Sequence, residues 1–131
     1  MARYDFAPHF TEEEFTCKCG CGTHNVSRPF LERLERARIR AERPFVIVSG
    51  CRCAEHNEDE GGVDSSSHLA SNEPGEEEEC RAADIAVRGS RGRYVIRKAL
   101  LDSGFTRFGT GSSFLHVDDD PMLDPMVEWL Y

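Results

Sequence analysis

The chain has 131 residues, 39% of them hydrophobic and 31% charged, with 24 acidic side chains against 16 basic ones and a formal net charge of -8. That length suits one domain with a core of ordinary size, and the balance reads as soluble and globular. The charge excludes the basic stripe of a nucleic-acid binder, and no run approaches the ~20 apolar residues of a membrane helix.

The opening residues, Met1-Ala2-Arg3-Tyr4-Asp5-Phe6, lack the apolar run of a signal peptide. The protein is expected to be made in the cytoplasm and to reach any substrate beyond the membrane by lysis or another export route. Thr11-Glu12-Glu13-Glu14 has the form of a capping box, with Phe10 before it and Phe15 after it. Ser27 reads as the N-cap of a helix over roughly residues 28–42, with Leu31, Leu34 and the stretch Ala37-Arg38-Ile39 inward and Pro44 as its stop. Phe45 to Val48 is a short β-branched apolar run, the pattern of a buried strand.

From Ser49 to Glu79 the chain is rich in loop signals: Gly50, Gly61-Gly62, Ser65-Ser66-Ser67 and Pro74-Gly75. A connection that long is usually functional or partly disordered. Ala82 to Val87 reads as a second strand. Ser90 to Leu101 reads as a helix with Tyr94, Val95, Ala99 and Leu100 inward and Gly104 as its stop. Phe105 to Phe108 and Phe114 to Val117 are expected to pair through a Gly109-Thr110-Gly111 hairpin. Residues 121–131 are expected to pack back as a short C-terminal turn, with Trp129 plugging the core. The fold class that follows is α+β, a small and largely antiparallel sheet with helices packed on it. A monomer is the expected state.

Six cysteines is a high count for this length. Five cluster as Cys17-Lys18-Cys19-Gly20-Cys21 and Cys51-Arg52-Cys53, while Cys80 stands in an acidic stretch. Without a signal peptide, disulfides are not the default. Three readings stay open: a second, closed metal site, which His24 would complete; disulfides formed after release; or reduced thiols.

The chemistry concentrates in His68, Asp84 and His116. Two imidazoles and one carboxylate hold zinc with a fourth position open to water, as catalytic zinc requires. Strand alternation puts Asp84, His116 and Asp118 on one face of a common sheet, with Leu115 and Val117 on the other, and His68 enters from the serine loop. His9 reads as a surface or local structural group and His56 as loop packing, with contact to substrate as the alternative.

Several segments together resemble the zinc D-alanyl-D-alanine carboxypeptidases and murein endopeptidases, in the group that includes the hedgehog signalling domain and lysostaphin-type enzymes. They are Phe10 to Cys21, Val48-Ser49-Gly50-Cys51-Arg52-Cys53-Ala54-Glu55-His56-Asn57, Ser66-Ser67-His68-Leu69, Ala82-Ala83-Asp84-Ile85 and Phe114-Leu115-His116-Val117-Asp118. The small cysteine-rich members it looks most like include phage and prophage cell-wall lytic proteins. The resemblance implies a zinc held by His68, Asp84 and His116 on a central antiparallel sheet, with peptidoglycan stem peptides as substrate. It makes Arg52 the group facing the scissile carbonyl, Ser66 a substrate-holding serine and Asp118 the general base. Two features depart from the pattern. Ser113 stands where many relatives carry an acid, and Asp84 follows His68 by sixteen positions where relatives read H-x6-D. The nine extra residues correspond to an acidic insertion at 71–79, which loop entropy tolerates. The alternative function is a catalytically silent, zinc-containing wall-binding or virion structural module. The His-x-Asp pair favours the enzyme, and Ser113 favours the silent module.

Overall fold

The structure is a computed structural model that describes residues 2–61, 66–71 and 77–131. Gly62, Ser65, Pro74, Gly75 and most of the acidic insertion lie outside the described residues.

A two-stranded ribbon, β1 (Arg3–Tyr4) and β2 (Ala7–Thr11), opens the chain. Thr11 then caps the single turn α1 (Glu12–Phe15) through the expected capping box, with the Thr11 hydroxyl accepting from Glu14 N and the Glu14 carboxylate accepting from Thr11 N. Ser27 caps α2 (Arg28–Ala41), its hydroxyl accepting from Phe30 N at 3.4 Å, with Pro29 in the first turn. Leu31, Leu34 and Ala37 face inward as the helical period requires, but Ile39 is exposed and Phe30 takes a place in the core. Glu35 is also buried, held by His9, whose backbone N–H donates to its Oε1 at 2.9 Å and whose ring meets its Oε2. His9 is therefore a tie between the N-terminal ribbon and α2.

The main sheet contains β3 (Ile47–Ser49), β4 (Ala82–Ala86), β5 (Arg107–Thr110), β6 (Phe114–Asp118) and β7 (Val127–Leu130), in the order β3-β4-β6-β5-β7. The class is α+β, and the first three pairings are antiparallel. Three expectations change here. The run at Phe45 to Val48 is not buried throughout, because β3 is an edge strand: Phe45 and Ile47 point inward while Val46 and Val48 face solvent. The C-terminal segment is a strand rather than a turn, and β7 pairs with β5 in parallel. The hairpin between β5 and β6 turns at Gly111-Ser112-Ser113, two residues later than the glycine signal implied. Gly109 lies inside β5 because a Cβ there would sit 2.5 Å from Trp129 Nε1 and 2.6 Å from the Tyr131 ring.

The long segment after β3 is not continuous loop either. Cys53 caps α3 (Ala54–Asp59), and Arg52 bridges to Leu69. The ends of the acidic insertion meet in an antiparallel bridge between Ser71 and Glu78, bonded both ways at 2.9 and 3.0 Å. That closure lets sequence be added between His68 and Asp84 without moving either.

Helices α2 and α4 (Gly89–Asp102) cover one face of the sheet. Phe30, Leu31, Leu34, Ile96, Ala99 and Leu100 meet Ile85, Phe108, Leu115 and Val117 there. Tyr94 is exposed and Ile96 is buried in its place, a shift in helical phase from the sequence expectation. Phe30 packs edge-on to Phe105 with ring centroids 5.7 Å apart, and both are fully buried. Phe30→Ala is expected to cost about 3–5 kcal/mol in a denaturant titration while leaving the far face of the sheet in place. That far face carries the chemistry.

Candidate metal centre

Register brings the site together. Asp84 on β4 lies directly across from His116 on β6, His116 across from Gly109 on β5, and Gly109 across from Trp129 on β7. Ser49 on β3 extends the row beyond Asp84. A second row on the same face holds Ala82, Asp118 and Arg107. His68 arrives from the turn at 66–69, with Ser66 Oγ accepting from its backbone N–H at 3.2 Å.

Three ligand atoms meet over the first row. Asp84 Oδ1 is 3.2 Å from His68 Nε2 and 2.9 Å from His116 Nδ1, and the two nitrogens are 3.3 Å apart. All three residues are buried. A tetrahedron with ligand bonds near 2.0–2.1 Å has edges of about 3.3 Å, so the triangle has the size of one face of a zinc site.

The tautomers agree. His68 Nδ1 lies 2.7 Å from Gly50 O, which can only accept, so Nδ1 carries the proton and leaves Nε2 free to ligate. His116 Nε2 lies 2.7 Å from Asp118 Oδ2, so its proton is on that side and Nδ1 faces the triangle. Burial alone would push the Asp84 carboxyl up, but hydrogen bonds and charge from His116 and His68 outweigh it and hold it well below the usual carboxylate range. Burial alone would lower His116, yet Asp118 and Asp84 raise it.

Asp118 has the most committed carboxylate of the group. It is 2% exposed, its Oδ2 faces His116, and its Oδ1 accepts from Arg107 Nε at 2.6 Å and from Asp120 N at 3.4 Å. Despite burial, His116 and Arg107 keep its pKa low. Arg52 stands on the opposite side of the triangle. Its Nη2 is 3.5 Å from Asp84 Oδ2, its Nε donates to Ser49 Oγ at 3.2 Å, and its Nη1 reaches Asn57 Oδ1 at 3.5 Å.

The triangle opens into a cleft of about 560 Å³ walled by Arg52, Glu60, Ser66, Trp129 and Tyr131. Trp129 is not a core plug. Its ring is 5.4 Å from that of His116, with Arg107 over it at 5.2 Å and Tyr131 beside it. Arg107, Glu60, Trp129 and Tyr131 are cleft residues that sequence reasoning missed. The signal for the aromatic pair was the alternation of Val127, Trp129 and Tyr131, a period of two.

The cysteines divide. Cys17, Cys19, Cys21 and Cys53 gather with their sulfurs all within 4.8 Å of one another. Cys51 does not join them. It is buried with Cys80, whose hydrogen bond, together with burial, pushes the Cys51 thiol far up. His24 also stays out, its Nδ1 bonded to Gly22 O at 2.9 Å.

An unclosed three-ligand set of this kind leaves a coordination position facing solvent, the arrangement of a metal centre that performs chemistry rather than one that braces a fold. The family model for Peptidase M15 matches residues 8–118, and the chain belongs to that family of zinc-dependent, D-Ala-D-Ala carboxypeptidase-like peptidases. No curated protein matches the chain. No helix among the described residues is long and apolar enough to cross a membrane.

Proposed function

We propose that the chain is a zinc-dependent peptidoglycan peptidase that hydrolyses a bond next to D-alanine, as a D-Ala-D-Ala carboxypeptidase or a cross-link endopeptidase. The observation that carries this reading is the triangle of His68 Nε2, Asp84 Oδ1 and His116 Nδ1 on the cleft floor of a peptidase M15 chain. Zinc held there supplies an activated water and polarises a carbonyl.

The chain's own groups supply the rest. Arg52 presents a guanidinium at the edge of the triangle, where negative charge grows on the scissile carbonyl oxygen, and Ser49, Asn57 and Asp84 fix its plane. Ser66 stands at the cleft wall to hold the substrate backbone. Trp129 and Tyr131 form an apolar side for the small D-alanyl group.

Asp118, the base candidate from sequence, has both oxygens committed, so we assign it the role of orienting His116 through the chain Arg107–Asp118–His116. Glu60, exposed at the cleft wall with its Oε1 3.7 Å from His56 Nε2, is the carboxylate that would take a proton from water and return it to the leaving amine. Metal content separates the two carboxylates. Asp118→Asn should weaken zinc binding about 10–100-fold, whereas Glu60→Gln should keep its zinc and lose turnover.

Cross-linked muropeptides incubated with the purified chain test the function. Mass spectrometry should show released D-alanine or an opened cross-link, blocked by a chelator and restored by zinc. A chain that holds zinc in the triangle yet leaves every muropeptide intact would be a wall-binding module instead, the reading that the serine at 113 favours.

A further inference from the structure

We propose that Cys17, Cys19, Cys21 and Cys53 form a second, closed metal site that binds a thiophilic divalent cation, zinc in the cell, and fixes the segment carrying Arg52. The site is separate from the His68–Asp84–His116 triangle and shares no ligand with it.

Geometry is the first support. The sulfur of Cys17 is 3.5 Å from that of Cys19 and 3.8 Å from that of Cys53, and Cys19 and Cys53 are 3.6 Å apart. Zinc–sulfur bonds of about 2.3 Å set the edge of a tetrahedron at about 3.8 Å. Cys21 lies within 4.8 Å of the other three and supplies the fourth corner. Four sulfurs gathered about one point, rather than paired in two couples, are the pattern of a shared ion.

The surrounding polar groups are the second support. Four thiolates around a divalent cation carry a net charge of -2, which donors must offset. Cys53 N donates to Cys17 Sγ at 3.4 Å, and His56 N donates to Cys53 Sγ at 3.4 Å. The Thr23 hydroxyl lies 3.2 Å from Cys21 Sγ and can turn its proton toward a thiolate there. The loop bends to deliver the three N-terminal sulfurs. Cys17 N donates to Thr23 O at 2.7 Å, and Gly20 and Gly22 take φ of +91° and +82°, a region that other residues enter at a cost.

The C-x-C spacing now has a reason. Cys53 binds from the start of α3, Cys51 points the other way into the core with Cys80, and Arg52 between them carries the guanidinium of the cleft. Arg52 is also pinned through its backbone, donating to His68 O at 2.8 Å and accepting from Ala70 N at 2.9 Å. A cation at the four sulfurs ties the 17–23 loop to this segment. Coordination requires no oxidant; the thiols release protons as they bind.

Cobalt tests the proposal on the intact reduced chain, because only a sulfur site gives thiolate-to-cobalt charge-transfer absorption in the near ultraviolet. We expect that band in the wild-type chain, together with the strong visible bands of tetrahedral cobalt. It should persist and saturate at one equivalent in His116→Ala, which lacks the first site, and be lost in a Cys19→Ser/Cys53→Ser double variant. Zinc content by mass spectrometry should fall from two per chain to one in either variant. Cys21→Ser, at the exposed corner, serves as the mild variant should the double one fail to fold; it should weaken the band and bind cobalt less tightly. No charge-transfer band in the wild-type chain, or an undiminished band in the serine variants, overturns the proposal. Neither result bears on the His–Asp triangle, whose ligands contain no sulfur.

Discussion

His116→Ala is expected to reduce muropeptide cleavage to the uncatalysed background and to empty the cleft of zinc. The imidazole does two things that alanine cannot. Its Nδ1 completes the triangle with Asp84 Oδ1 and His68 Nε2 at 2.9 and 3.3 Å, and its Nε2 ties that triangle to Asp118. Without it, two ligands remain, too few for a catalytic zinc site, and the activated water is lost with the ion. The fold should survive, because the packed core lies on the other face of the sheet, where Leu115 and Val117 flank this position. Zinc content, muropeptide turnover and far-ultraviolet circular dichroism on one preparation check all three statements. Full activity in His116→Ala would remove the triangle from the mechanism.

Arg52→Ala should be the second largest loss, about 100–1,000-fold in kcat, the usual cost of removing one donor to a developing oxyanion. Zinc should stay bound, since Arg52 meets Asp84 at Oδ2 while the triangle uses Oδ1. Arg52→Lys should recover only part of the rate. An ammonium carries the charge but cannot meet Ser49, Asn57 and Asp84 at once as the planar guanidinium does. Steady-state kinetics on a cross-linked muropeptide, separating kcat from KM, decides the role. A change confined to KM would make Arg52 a ground-state binding group, and loss of zinc would make it a structural partner of Asp84.

Much of this architecture could be read before any coordinates, and the reasons are local. The Thr11 box and the Ser27 cap are short-range hydrogen-bond patterns, and both form as written. Strand periodicity put Asp84 and His116 on the face away from Leu115 and Val117, and the register sets them directly opposite one another.

What was hidden depends on position in the sheet and on contacts between distant segments. Nothing in the run Phe45 to Val48 says that its strand is an edge, so the outward turn of Val46 and Val48 was not visible. Gly109 looked like a turn residue because an isolated glycine carries the same signal whether it bends the chain or makes room for a ring, and here it makes room for Trp129. The orienting role proposed for Asp118 rests on Arg107, eleven residues upstream and one strand away, whose bond to Oδ1 could not be read from the sequence. The cysteines show the same limit. Cys51 and Cys53 look equivalent in a C-x-C pair, yet one faces the core and the other three sulfurs.

Anomalous diffraction at the zinc edge, on crystals of the full chain grown with zinc, is the most direct measurement of the central claim. The expected result is an ion about 2.0–2.1 Å from His68 Nε2, Asp84 Oδ1 and His116 Nδ1 with its fourth position toward the cleft. A triangle that stays empty at saturating zinc, or an ion closed by a fourth protein side chain, would contradict it.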